Sequence, residues 1–139
     1  ASELDADLLN LPPDPPANTV SNHHIYYIKL KNKYQRDLLM KTLQSDGIHS
    51  VFHYIPLHLS AMGKSIATFS HDDIHTTIES ERLLRLPLFD SLTIKEVRYI
   101  CARINQIVTG FMKQDPEIIT QPSSNEFPAG LSALPNSTS

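Results

Sequence analysis

The side chains best suited to chemistry lie in one mid-chain stretch, from Gly47 to His58, which holds three of the chain's seven histidines and a tyrosine. Imidazole and phenol groups both donate and accept hydrogen bonds, which suits a ligand that carries hydroxyl and phosphate groups. His53, Tyr54 and His58 are the main candidates, because they lie at the end of a segment with strand-like composition and in the loop expected after it. The sequence therefore predicts a polar binding site at this strand-to-loop junction.

The geometry of the predicted strand limits how these side chains can act together. A strand over 48–55 follows a helix-stopping glycine and ends before Pro56, which has no N–H to donate to a ladder. Side chains alternate in a regular strand, so His53 and Tyr54 would point to opposite faces. Either the strand is bulged there, or one of the two contacts a ligand. Composition by itself favours a third outcome, in which both are hydrogen-bonded groups of the core.

Two other kinds of site are weaker alternatives. His49 and His53 share one face of the predicted strand, and a metal site would need further ligands such as His58 or His71. Cys101 falls on the apolar side of a predicted helix, where a thiol is inert, and the sequence contains no Gly-x-Ser-x-Gly elbow. Metal binding and hydrolysis are therefore minor hypotheses.

Composition narrows the class of protein. The 139 residues fit one domain, and a formal net charge of −3 without a basic block argues against a nucleic acid partner. No apolar run approaches the roughly 20 residues that cross a bilayer, so we expect no membrane partner. A single cysteine excludes an internal disulfide, and the first residues carry no signal-peptide pattern, which together predict a cytoplasmic location.

Three phrases in the chain carry a resemblance to a known family. The segment from Phe52 to His58, FHYIPLH, resembles the C-terminal signature of the DegT-type nucleotide-sugar aminotransferases. These are pyridoxal phosphate (PLP) enzymes that place an amino group on a keto sugar. Asn22 to Leu30 and Glu79 to Phe89 are similar to two further family phrases in the same order. The resemblance extends from about Leu9 to Val108, and within the family it is nearest to the dTDP-4-amino-4,6-dideoxygalactose transaminase branch.

The resemblance implies a fold and a reaction. The fold is an α/β small domain of the α+β kind, with a short, mostly antiparallel sheet of about three strands and packed helices, as in the C-terminal domain of fold-type I aminotransferases. The parent enzyme would move an amino group from glutamate, through PLP, to C4 of a dTDP-linked 4-keto-6-deoxy sugar. Family dimers build each active site from both subunits, so a homodimer is expected.

The resemblance also implies which residues meet the nucleotide sugar. They are His53, Tyr54, His24 and His58, in a wall that orients the sugar. For His24 a polar strand end in water is an equally good alternative. Arg85 could pair with a phosphate through its planar guanidinium, although a solvent-facing arginine is the commoner outcome.

The resemblance places the cofactor outside this chain. In the family, the lysine that holds PLP and the acid facing the pyridine nitrogen lie in an upstream large domain. The lysines here match no part of the family's lysine motif, and the four glycines are too far apart for a phosphate-cradling turn. The fragment is therefore expected to be inactive alone, with no catalytic or cofactor-binding residue. The alternative is a non-catalytic module that binds nucleotide sugars or another protein.

The predicted domain organisation follows from these points and from composition. Residues 1–21 contain two Pro-Pro pairs and are predicted to be an extended connector from the missing large domain, with at most a short turn around Leu4 to Leu9. From composition alone, a disordered leader is an equally good alternative. Residues 22–110 form the small domain. Residues 111–139 are rich in Pro, Ser and Asn and are predicted to be a flexible tail.

The first elements of the small domain have clear boundaries in the sequence. β-favouring side chains predict a strand over His23–Leu30, and Asn32 can cap a helix over Tyr34–Ser45. Gly47 would end that helix in the left-handed conformation. Residues 60–73 are predicted as an exposed loop with one turn.

The later elements are marked by two capping boxes. Thr76 with Glu79 predicts one helix, and Thr93 with Glu96 predicts the longest helix, whose apolar stripe packs on the sheet and which ends at Gly110.

A short third strand is predicted over Arg85–Phe89. Pro87 within it favours an edge position or a strand-to-loop transition, and the β-α-β order of the first elements leaves a parallel strand pair open.

Overall fold

The computed structural model describes residues 3–68, 70, 72–73 and 75–114, the last three as backbone only. In chain order the elements are strand β1 (Tyr26–Lys29), helix α1 (Lys33–Ser45), strand β2 (Val51–Phe52), a 3-10 turn (Leu57–Leu59), helices α2 (Ala61–Ile66) and α3 (Thr76–Arg82), strand β3 (Leu83–Leu86) and helix α4 (Ile94–Gln114). The predicted tail lies outside the described residues from position 115 onward.

The three strands form one antiparallel sheet with the order β1-β3-β2. Arg85 in the central strand is opposite Tyr27 on one side and Val51 on the other. Directly opposed residues share a face, so these three side chains lie in a row across the sheet. The predicted α/β domain with a short antiparallel sheet is confirmed.

Pro87 marks the strand-to-loop transition that the sequence allowed, and the third strand is central rather than at an edge. It covers Leu83–Leu86 rather than Arg85–Phe89, and it follows α3 without an intervening loop. Pro87 therefore comes after the last paired residue, where its missing N–H removes no ladder hydrogen bond. Because the paired residues all come before Pro87, β3 can pair on both sides.

Strand β2 is much shorter than predicted. It pairs through Val51 and Phe52 with Arg85 and Leu84, and the next partner along β3 would be its first residue, Leu83. Beyond Leu83 the chain is already helical, so the ladder has no further partner. Gly47 has φ 77 and ends α1 as predicted.

Two of the predicted helix starts are confirmed. The Asn32 side chain accepts a hydrogen bond of 2.9 Å from the N–H of Gln35 at the start of α1. At the start of α4, the Thr93 N–H donates to Glu96 Oε2 at 2.8 Å, and the Glu96 N–H donates to Thr93 Oγ1 at 3.3 Å. This is the reciprocal pair of a capping box.

The end predicted for the longest helix at Gly110 is wrong. Helix α4 continues to Gln114. Phe111 packs against the core one residue beyond the glycine, and this burial outweighs a glycine propensity cost of about 1 kcal/mol.

The capping box predicted at Thr76 and Glu79 is also wrong. Helix α3 begins at Thr76 itself, after His75. The Glu79 carboxylate instead pairs with Lys29 Nζ at 2.6 Å and with Arg82 Nη1 at 3.1 Å, which ties α3 to β1. A charged partner on a neighbouring strand therefore takes the carboxylate away from the helix end.

The region predicted as a loop after residue 59 contains helix α2. Ser60 caps it, with its Oγ accepting the Gly63 N–H at 2.9 Å. The helix is short and exposed, and its residues have too little apolar periodicity to predict it.

The core lies between the sheet and helices α1 and α4. Its buried hydrophobic residues are Leu4, Leu9, Ile28, Leu30, Leu39, Leu43, Ile48, Leu84, Ile100, Cys101, Ile104 and Val108. Leu4 and Leu9 come from the segment predicted as a connector. The turn predicted there is present, with the Leu9 N–H bonded to Asp5 O at 3.1 Å, and Asn10 forms a bridge with Lys29. This part of residues 1–21 is thus packed on the domain.

Two isoleucines of α4 test this description of the core. Ile104 is fully buried and Ile94 is 68% exposed. We expect Ile104→Ala to lower the free energy of unfolding by about 2–5 kcal/mol, because it leaves a cavity under the sheet. The matched control Ile94→Ala should change it by about 0.5 kcal/mol or less. Urea unfolding of the two variants measures the difference, and equal losses would contradict the assignment of the buried face.

Candidate functional site

His53 and Tyr54 lie beside one another after the end of β2. Their ring centroids are 4.4 Å apart in an edge-to-face arrangement, with 63° between the planes. Because the strand stops at Phe52, the alternation expected of residues 53 and 54 does not apply to them. The two rings are therefore neighbours without a bulge.

Arg85 is the neighbour that these rings share. Its guanidinium carbon lies 5.5 Å from the centroid of the Tyr54 ring, within the range of a cation–π contact. Its charge also acts on His53. The pKa of that imidazole is lowered from its ordinary value, first by burial and second by the positive charge of Arg85. His53 is thus neutral at pH 7, with one ring nitrogen as donor and the other as acceptor.

A pocket of about 210 Å³ opens on the other side of Arg85. It is lined by His24, Ile25, Val51, Arg85, Leu86 and Leu88. Arg85 Nε is buried and has no hydrogen-bond partner among the described residues. The pocket therefore presents an arginine donor and an imidazole on otherwise apolar walls.

His24 is oriented by a local turn. The Asn22 Oδ1 atom lies 2.6 Å from His24 Nδ1 and accepts its hydrogen, so in the neutral ring Nε2 is the acceptor. His23, just before it, has φ 48, which is uncommon for a residue other than glycine. The turn explains why the strand starts at Tyr26 rather than at His23. His24 is exposed and lines the pocket with Arg85.

His58 lies in a different cluster from the other candidates. Its Nε2 atom is 2.8 Å from Asp73 Oδ2 and 3.3 Å from Thr77 Oγ1. Asp73 Oδ1 also accepts the Thr77 N–H at 3.2 Å. The pKa of the Asp73 carboxyl is lowered, chiefly by its hydrogen bond from the Thr77 hydroxyl and to a smaller degree by His58. His58 thus ties the 3-10 turn to the start of α3.

Sequence reasoning missed two side chains near these residues. Asp73 holds His58, and a carboxylate a few residues before a predicted helix was a signal that could have identified it. Arg36 of α1 is buried, with its guanidinium carbon 5.5 Å from the centroid of the Phe52 ring and its Nε 3.0 Å from Asp37 Oδ1. It contacts Phe52 at the end of β2. A buried arginine has no sequence motif by which it could have been identified.

Lysines are absent from the lining of two pockets in the described part of the chain. No lysine lines the pocket beside Arg85 or a second, more apolar pocket of about 200 Å³ between the N-terminal segment and α4. Lys29, the lysine of β1, is held by Glu79. Nor do the described side chains include a group of three His, Cys, Asp or Glu residues that could hold a metal. Cys101 is buried, and burial raises the pKa of its thiol.

Comparison with known proteins identifies the fold's relatives. The model of the DegT/DnrJ/EryC1/StrS aminotransferase family matches residues 3–105. The aminotransferase TlmJ from Streptoalloteichus hindustanus is 24% identical, with a TM-score of 0.67 over 76% of this chain and 28% of that one. A DegT DnrJ EryC1 StrS aminotransferase from Brucella abortus is 28% identical, with a TM-score of 0.54 over 78% of this chain and 27% of that one.

A third similar structure comes from another bacterium. Spr1654 from Streptococcus pneumoniae, a candidate sugar aminotransferase in its PMP form, is 22% identical, with a TM-score of 0.66 over 80% of this chain and 28% of that one. Its PLP form matches as well, and aminotransferases of the family use PLP. The chain spans little more than a quarter of the length of these relatives. Within the described residues, no helix is long and apolar enough to cross a membrane.

The electrostatic link between Arg85 and His53 is open to direct measurement. We expect Arg85→Gln to raise the pKa of His53, because it removes the positive charge, while burial still keeps the pKa below its ordinary value of about 6.5. The control Arg98→Gln removes a charge from the exposed face of α4 and should leave the pKa of His53 unchanged. NMR titration of the imidazole C–H signals measures both. A His53 pKa that does not respond to the loss of Arg85 would contradict the contact.

Proposed function

Because the chain belongs to the DegT/DnrJ/EryC1/StrS aminotransferase family, we propose that it is the C-terminal part of a PLP-dependent nucleotide-sugar aminotransferase. The observation that carries this proposal is the convergence of His53, Tyr54 and Arg85 beside the pocket that His24 lines. His53 and Tyr54 belong to the phrase by which the sequence resembles the family. Their proximity to a basic pocket is the arrangement that a sugar phosphate requires.

The substrate that we propose is a dTDP-linked 4-keto-6-deoxy sugar, with glutamate as the amino donor. Its sugar ring offers hydroxyl groups that both donate and accept. A neutral His53 and the Tyr54 phenol can satisfy such groups without the cost of burying a further charge. In this role the chain orients the sugar, and the orientation of a bound reactant is itself a large source of rate.

His58 enters the proposal less directly than the other three residues. It is held by Asp73 and Thr77, so its ring fixes the position of the turn that follows Pro56. We propose that it shapes the site's rim and approaches the substrate from there.

The partner that we propose is the large cofactor-binding domain of the same enzyme. Several large apolar side chains between β2 and the end of α2 are exposed, namely Val51, Phe52, Tyr54, Ile55, Leu57, Leu59, Met62 and Ile66. An apolar surface of this extent is typical of an interface. We propose that it meets the large domain, within a cytoplasmic homodimer whose active sites use residues of both subunits.

The proposal predicts that the 139-residue chain does not hold PLP covalently. Incubation with PLP, then reduction with borohydride, should leave the mass of the chain unchanged, because its lysines are not placed at a cofactor pocket. A longer product of the same gene that includes the large domain should gain one pyridoxyl group. Mass spectrometry distinguishes the two, and a stable, stoichiometric adduct on the short chain would overturn the proposal that the cofactor lysine lies elsewhere.

The substrate role of His53 can be tested in that longer protein. Amino transfer from glutamate to a dTDP-4-keto-6-deoxy sugar should lose about tenfold or more in kcat/KM in His53→Ala, mainly through KM, because a hydrogen bond to the bound sugar is lost. His49→Ala is the matched control, since His49 is exposed and lies before β2. The kcat/KM of His49→Ala should stay within about twofold of the wild-type value. Equal losses in the two variants would argue against a sugar-facing His53.

A further inference from the structure

Arg85 differs from the other arginines in lacking an acidic partner. Arg36 pairs with Asp37, Arg82 with Glu79, Arg98 with Glu3 and Arg103 with Asp46. Among the described residues Arg85 takes part in no ion pair, and its Nε is buried without a hydrogen bond. Buried donors are nearly always satisfied in folded proteins, so the Nε–H of Arg85 is available to an anion from outside the described chain.

The position of Arg85 suits it to receive such an anion. It lies in the central strand, opposite Tyr27 on one side and Val51 on the other, so its strand is paired on both sides. The Tyr54 ring lies 5.5 Å from the guanidinium carbon. A guanidinium held in this way is oriented before a ligand arrives, and its planar set of donors matches a phosphate bidentately.

The pocket beside Arg85 has the size and charge for a phosphorylated group. Its volume of about 210 Å³ equals the share of about seven liquid water molecules, at about 30 Å³ each. No Asp or Glu is among its six lining residues, so nothing in its wall repels an anion. His24 on the facing side becomes a second donor when its ring is protonated.

We propose that this pocket binds a diphosphate group, with Arg85 as the residue that recognises it. The proposed function supplies the natural ligand, a nucleotide sugar, whose diphosphate would bind at Arg85 while its sugar extends toward His53 and Tyr54. Arg85 would then distinguish nucleotide-linked sugars from free sugars. The site itself is defined by the pocket and its unpaired arginine.

Inorganic pyrophosphate is the probe that tests the site on the 139-residue chain. Its addition should shift the Nε–H NMR signal of Arg85 and the amide signals of His24 and Val51. Arg85→Gln should weaken binding about tenfold or more, the loss expected for hydrogen bonds to a charged group. Arg98→Gln, the matched arginine control on the exposed face of α4, should change the dissociation constant less than about twofold.

Arg85→Lys keeps the experiment decisive if the glutamine variant does not fold. It retains the charge but not the planar donors, and it should weaken pyrophosphate binding by a smaller factor than Arg85→Gln. Failure of pyrophosphate to bind, or signal shifts confined to other residues, would overturn the proposal. Either result would indicate instead that Arg85 pairs with a carboxylate of the missing domain.

A parallel titration separates this inference from the proposed function. A dTDP-sugar that binds wild type tighter than pyrophosphate, and that loses about tenfold in Arg85→Gln, supports both. A dTDP-sugar that binds wild type and Arg85→Gln equally overturns the diphosphate site and leaves the substrate class intact. A dTDP-sugar that binds no tighter than pyrophosphate supports the diphosphate site and contradicts a sugar-facing role for His53 and Tyr54.

Discussion

The length of the ladder between β2 and β3 is the constraint on which the rest of the site depends. Helix α3 runs into β3 without a loop, so β3 has no extended residue before Leu83. Of the residues of β3, Leu83 to Leu86, strand β2 pairs with Arg85 and Leu84, through Val51 and Phe52. The chain leaves the sheet at His53, and this release from strand alternation lets two consecutive side chains lie near the same arginine.

The sheet separates apolar packing from polar chemistry. Ile28 and Leu84, paired across β1 and β3, are fully buried beneath α1 and α4. One residue further along β3, Arg85 belongs to the opposite face, where it lies in a row with Tyr27 and Val51. Because side chains alternate along a strand, the packed core lies on the face of the sheet opposite Arg85. This core limits the motion of Arg85 and supports recognition of a specific ligand.

The sequence predicts a structural feature correctly where the interaction that determines it lies within a few residues of the chain. Asn32 and the pair of Thr93 with Glu96 were predicted correctly, because a helix cap is made within a few residues of sequence. Glu79 was assigned to a cap but pairs with Lys29, 50 residues away. No local pattern reports such a partner.

The candidate site likewise combines local features that the sequence predicts with long-range contacts that it does not. His53, Tyr54 and His24 were identified from residue types and from the family resemblance, and their placement around Arg85 depends on pairing between distant strands. The predicted length of β2 is wrong because composition does not report how many of its residues pair with β3. A strand's own sequence reports its tendency to extend, whereas its partner determines how many of its residues are paired.

The most direct test of the central claim is a crystal structure of the longer aminotransferase with a dTDP-sugar bound. The account predicts the diphosphate within hydrogen-bond distance of Arg85, with the sugar ring next to His53 and Tyr54. A structure in which the outer face of the sheet is covered by the large domain, with Arg85 on a carboxylate and the nucleotide bound elsewhere, would contradict it.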